Sequence, residues 1–239
     1  MKQQPQRLME SYRSLDAWKI AETVGQLRDR IYARFPGAGL SRVANTLFEV
    51  AQESVARSAW VGRPILWLRI AVATLASAML VALVGGALKL TSLSAVWDVG
   101  SFLQAIEAGI NDIILVGAGI YFLLTLETRI KRKVVLKAVH ELRSLAHIVD
   151  THQLTKDPER LLQTGAETPV SPERTMTAFE LSRYLDYCTE MLSLIGKLAA
   201  LHSQRFDDPV VLDAVDDMEE LTNGLSRKIW QKIALIHRT

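Results

Sequence analysis

Cysteine is almost missing from this sequence. A single thiol, Cys188, in 239 residues excludes an intrachain disulfide and any cysteine-based zinc cluster. Net charge is nearly missing too. Lys and Arg number 28 against 26 Asp and Glu, a balance of +2 that offers no global attraction to nucleic acid. No P-loop, no GxGxxG after a strand, no GxSxG and no HExxH occurs. Their absence removes the common phosphate, dinucleotide, serine-hydrolase and zinc-protease chemistries. The N-terminal stretch MKQQPQRLMESYRSLDAWKIAETV has no apolar h-region, so no signal peptide is expected, and it lacks the Gly at position 2 that myristoylation requires. Strand-type alternation is absent as well. The expectation is an all-α, non-enzymatic protein without a cofactor.

What is present is apolar sequence gathered in one place. A mean hydropathy of +0.13 is high for a chain that is 23% charged. Ile70 to Leu88 runs 19 residues without a charge, and a bilayer core of about 30 Å needs roughly 20 apolar helical residues. This stretch reads as a first transmembrane helix, about 66–89. A second apolar run, Ile113 to Leu126, has only 14 residues. It reaches spanning length when extended back to about 102, which takes in Glu107, Asn111 and Asp112. The two spans then form a helical hairpin over 65–127. Cytoplasmic segments 1–64 and 128–239 flank it.

Charge sets the orientation. Arg57, Arg63, Arg69, Arg129, Lys131, Arg132, Lys133 and Lys137 flank the outer sides of the hairpin, whereas its connection carries Lys89 alone. The positive-inside rule puts both termini in the cytoplasm of a bacterial inner membrane. Trp60, Trp67 and Trp97 fit interfacial belts. Arg129, Lys131, Arg132 and Lys133 are a stop-transfer cluster suited to anionic lipid head groups.

Helical periodicity continues on both sides. Leu15, Trp18, Ala21, Val24, Leu27, Ile31 and Phe35 predict one amphipathic helix, ended by PGAG at 36–39. A second helix is expected from about Leu40 to Ser58, with Leu40, Val43, Leu47, Val50 and Val55 as its apolar side. Val135, Leu136, Val139, Leu142, Leu145, Ile148 and Val149 extend the second span as one long helix to about Asp150. Residues 163–176 read as a loop. Thr177 with Glu180 is a capping-box signature, and Asp208-Pro209 an N-cap followed by a helix-starting proline. These helices require a bundle built from both ends of the chain.

Four constellations invite function. His140, His147, Asp150 and His152 are metal-ligand types, yet they lack the i, i+4 spacing of a compact helical site, so ordinary histidines are expected and no metal. The acidic run from Asp207 to Glu220 reads as a helix N-terminal half matching the dipole. Ala78, Ala82 and Gly86 form a small-residue ladder for helix packing, which points to a homo-oligomer. Gln104, Glu107 and Asn111 share one helix face, and Asp112 falls on the side of Ala105, Ala108 and Gly119. A length count puts Glu107 at the outer boundary and Asp112 about 7 Å beneath it. There a carboxylate is either a hydrated helix entrance or part of a pore.

Two families of two-span channels are separated from this chain by their motifs. No Gly-Met-Asn stands between the spans, as magnesium channels have. Trp97-Asp98 matches only the first two residues of the calcium-uniporter motif, and Ser101 occupies the place of its ring glutamate. The function expected is a membrane-anchored, self-associating scaffold or adaptor whose partners are the bilayer, further copies and a cytoplasmic protein. An oligomeric ion channel is the alternative.

Overall fold

The computed structural model describes residues 14–92, 99–156, 158 and 176–237. Trp97, the Trp97-Asp98 dipeptide and most of the 163–176 loop lie outside them. Six helices and no strand occur among the described residues: α1 (Ala17–Arg34), α2 (Gly39–Val61), α3 (Leu66–Ser92), α4 (Val99–Leu154), α5 (Ala178–Ser203) and α6 (Pro209–Ile236). They belong to two compact units. One combines residues 1–62 with 134–239, and the other spans 63–133.

In the first unit, local chemistry defines the helix ends. Asp16 caps α1 by accepting from the Trp18 and Lys19 amides. After Phe35 the chain turns through Gly37 at φ +76°, a left-handed conformation that glycine adopts without Cβ strain. The reciprocal Thr177–Glu180 capping box starts α5, and the Asp208 carboxylate accepts from the Val211 amide ahead of α6. The C-terminal end of α4 is closed from outside. The Lys232 ammonium donates to the Gln153 carbonyl at 3.1 Å, which also accepts from the Lys156 amide at 3.0 Å, and to the Lys156 carbonyl at 3.3 Å just past the helix end.

These helices share one core, to which Val24, Leu27 and Ile31 of α1, Leu40 and Leu47 of α2, and Val135, Leu142 and Val149 of α4 contribute. Leu185, Leu192 and Ile195 of α5 and Val211, Met218 and Ile229 of α6 complete it. Helix α5 lies at the centre, with 15 of its 26 residues buried. A helix buried on most sides keeps only a narrow polar stripe, here Arg183, Asp186, Glu190, Ser193 and Lys197. Gly25 lets α1 approach α2, because a Cβ there would stand 3.0 Å from the Phe48 ring.

Three stripe residues depart from expectation, and one of them, Leu15 at 36% exposure, precedes the first residue of α1. Trp18 is 75% exposed and Ile148 43% exposed. The buried line of α1 runs through Ile20, Val24, Leu27 and Ile31. At about 100° per residue, repeated steps of three drift around the helix, which leaves Trp18 roughly 160° from Ile20. Ile148 sits about 100° from Val149 for the same reason.

The second unit is a pair of helices. Val72, Ala76, Met79 and Leu83 of α3 and Val116, Gly119, Ile120 and Leu123 of α4 are half-buried, and most other described side chains there are exposed. Two of the described helices are long and apolar enough to cross a membrane, and only 6% and 0% of their apolar stretches are buried. So little burial distinguishes them from the core helices of a soluble bundle.

Candidate functional site

The polar start of α4 is the first candidate. Gln104, Glu107, Asn111 and Asp112 are all exposed. Asp112 and Gly119 are seven residues apart, within about 20° on the helix wheel, yet their surroundings differ. A Cβ on Gly119 would lie 2.7 Å from the Met79 methyl, so α3 covers that glycine closely. At Asp112 the helix surface is open. Ala78, Ala82 and Gly86 also sit on exposed surface of α3, and no described atom comes within 4 Å of a Cβ built on Gly86. Of the four small residues, Gly119 alone lies in the α3–α4 contact. The ladder faces away from it.

The base of the same pair carries an ionic cluster. Glu127 Oε2 accepts from Arg69 Nε at 2.7 Å, and Oε1 accepts from Lys131 Nζ at 2.8 Å and from the Ile65 amide at 3.3 Å. Lys131 Nζ also donates to the Arg63 carbonyl at 2.7 Å. One carboxylate therefore binds a guanidinium, an ammonium and the first turn of α3, where a negative group suits the helix dipole. Lys131 is only 7% exposed, so its ammonium serves this cluster rather than the surface. Arg129 stacks over Phe122 at 4.9 Å, Arg132 is half-buried and Lys133 exposed.

The bundle unit holds the remaining candidates. His140 and His147 are exposed, Asp150 accepts from Gln153 Nε2 at 2.7 Å, and His152 packs against Gly39. No group of three His, Cys, Asp or Glu is placed to hold a metal among the described residues. In the acidic run Asp208 is the α6 cap, and Asp217 pairs with Arg143 at 3.2 Å. An open groove of about 990 Å³ separates α1 from α6 over α5, lined by Ile20, Thr23, Leu194, Lys197, Thr222 and Trp230.

Cys188 is fully buried in α5, and burial pushes its thiol up to about 12. Native protein is expected to leave Cys188 unreacted with a maleimide at neutral pH, and denatured protein to label once per chain. Rapid labelling of the native chain would show that α5 opens readily.

Three arrangements escape sequence reading: the Arg69–Glu127 pair, the Lys232 closure of α4, and His202. The spacing of Glu127 and Lys131 signals their own pairing, since i, i+4 residues are neighbours on a helix, but not the approach of Arg69 from α3. The other two offered no local signal. Comparison with known proteins finds no matching family model, no matching curated protein and no matching solved structure.

Proposed function

We propose that this chain is a membrane-anchored, self-associating helical scaffold or adaptor of a bacterial inner membrane, with both termini cytoplasmic. The observation that carries the reading is the combination in one chain of a well-packed helical bundle and two apolar helices with almost no buried surface. Self-association of the spans would cover the Ala78, Ala82 and Gly86 surface, where small side chains permit close helix approach. The bundle then presents its outer surface to a cytoplasmic partner. Light scattering in a mild detergent tests the first part: more than one chain per particle is expected, reduced by Ala82→Ile. A monomer at every concentration would end the proposal.

Orientation has its own test. Because Cys188 is buried, Ser94→Cys places the one reactive thiol in the connection between the spans. Labelling by an impermeant maleimide is expected in intact cells. Labelling only after lysis would reverse the topology.

An ion channel is the second reading, favoured by the open setting of Asp112. About 22 Å of helix axis separates Asp112 from Glu127 at 1.5 Å per residue. With the ionic cluster at one edge of a core about 30 Å thick, Glu107 reaches the other edge and Asp112 lies inside it. A carboxylate there needs water or a neighbouring chain, and Glu107, Asn111 and Asp112 would line an outer vestibule. Cation flux through reconstituted protein should then fall in Asp112→Asn. Absence of flux in the wild type would eliminate this reading.

A further inference from the structure

His202 is buried near the C-terminal end of α5, with 1% of its surface exposed, and neither ring nitrogen has a hydrogen-bond partner among the described residues. Buried polar atoms are nearly always satisfied, so an orphaned imidazole calls for an explanation. Ser54 on α2 repeats the anomaly, its hydroxyl buried and without a partner. Two charged groups act on His202: Arg57 from α2 opposes its protonation and Glu141 from α4 favours it. Arg57 and Glu141 are themselves paired at 2.7 Å and join α2 to α4. Arg57 also bonds Glu53 on its own helix, so it keeps a carboxylate if Glu141 is taken away. Arg57, Glu141 and His202 thus form a polar corner among three helices, with Ser54 one turn before Arg57 on α2. The neutral imidazole is held there by packing alone.

We propose that this corner is an acid-sensitive latch, in which protonated His202 takes Glu141 from Arg57 and loosens α2 from α4. An imidazolium cannot stay buried beside a guanidinium without an anion, and Glu141 is the carboxylate that acts on it. The proton comes from solvent, the Arg57–Glu141 contact breaks, and Arg57 stays with Glu53. Burial first, and Arg57 second, hold the imidazole down from 6.5 to about 4. The open form therefore binds the proton first. The closed corner is fully stable above about pH 6.5, loses stability as pH falls through that range, and loses no more below about 4.

Hydrogen exchange of the full chain in detergent, corrected for intrinsic rates, tests the latch at pH 7 and pH 4.5. Protection in the second half of α2 is expected to fall by about tenfold or more in the wild type. It should stay nearly constant in His202→Phe. His202→Gln, polar but unable to titrate in this range, should behave like His202→Phe and serves if the aromatic variant does not fold. An equal loss in wild type and both variants would show general acid unfolding and overturn the latch. So would constant protection in the wild type.

Discussion

Glu127→Gln is expected to destabilise the α3–α4 pair by about 3 kcal/mol, because it strands the buried Lys131 ammonium. The Lys131 side chain is 9% exposed and cannot turn to water, whereas the Arg69 side chain is 61% exposed and can. Arg69→Ala should therefore be the milder change, as for exposed pairs. Adding Lys131→Met to Glu127→Gln should recover part of the loss, since no uncompensated ammonium then remains. Denaturation of purified protein in detergent gives all four values. If Glu127→Gln matched the wild type, the cluster would contribute no stability.

Leu142→Ala should cost about 2–5 kcal/mol, the range for deleting a large side chain from a core that closes only partly. Leu142 has no exposed surface and sits where α4 packs in the bundle. Leu115 lies earlier on the same helix and is 73% exposed. Leu115→Ala should change stability by less than about 0.5 kcal/mol in a single chain. The contrast tests whether one helix serves a packed unit at one end and an uncovered unit at the other. A large loss from Leu115→Ala would mean that another chain covers that surface of α4 as well as the Ala78, Ala82 and Gly86 surface of α3. A small loss from Leu142→Ala would contradict the core.

Sequence alone determined the features that depend on neighbours along the chain. Thr177 with Glu180 and Asp208 with Pro209 mark helix starts because capping is satisfied within three or four residues. The turn at Pro36-Gly37 follows from backbone conformation. The two apolar helices follow from long apolar runs, and the continuation of α4 beyond the second span to about Asp150 from unbroken helical periodicity; the helix itself ends at Leu154.

Tertiary structure decided which groups meet across helices. Arg69 and Glu127 are 58 residues apart, and Lys232 and Gln153 are 79 apart. Each pairing requires two helices to have the right rotation and stagger, which no local pattern encodes. Rotation also left Trp18 outside the core, set His202 inside it without a partner, and covered Gly119 while leaving Asp112 open. A sequence states which side chains share a helix face. Packing decides which face is buried, and burial decides whether a charge or a ring nitrogen has water, a partner or neither.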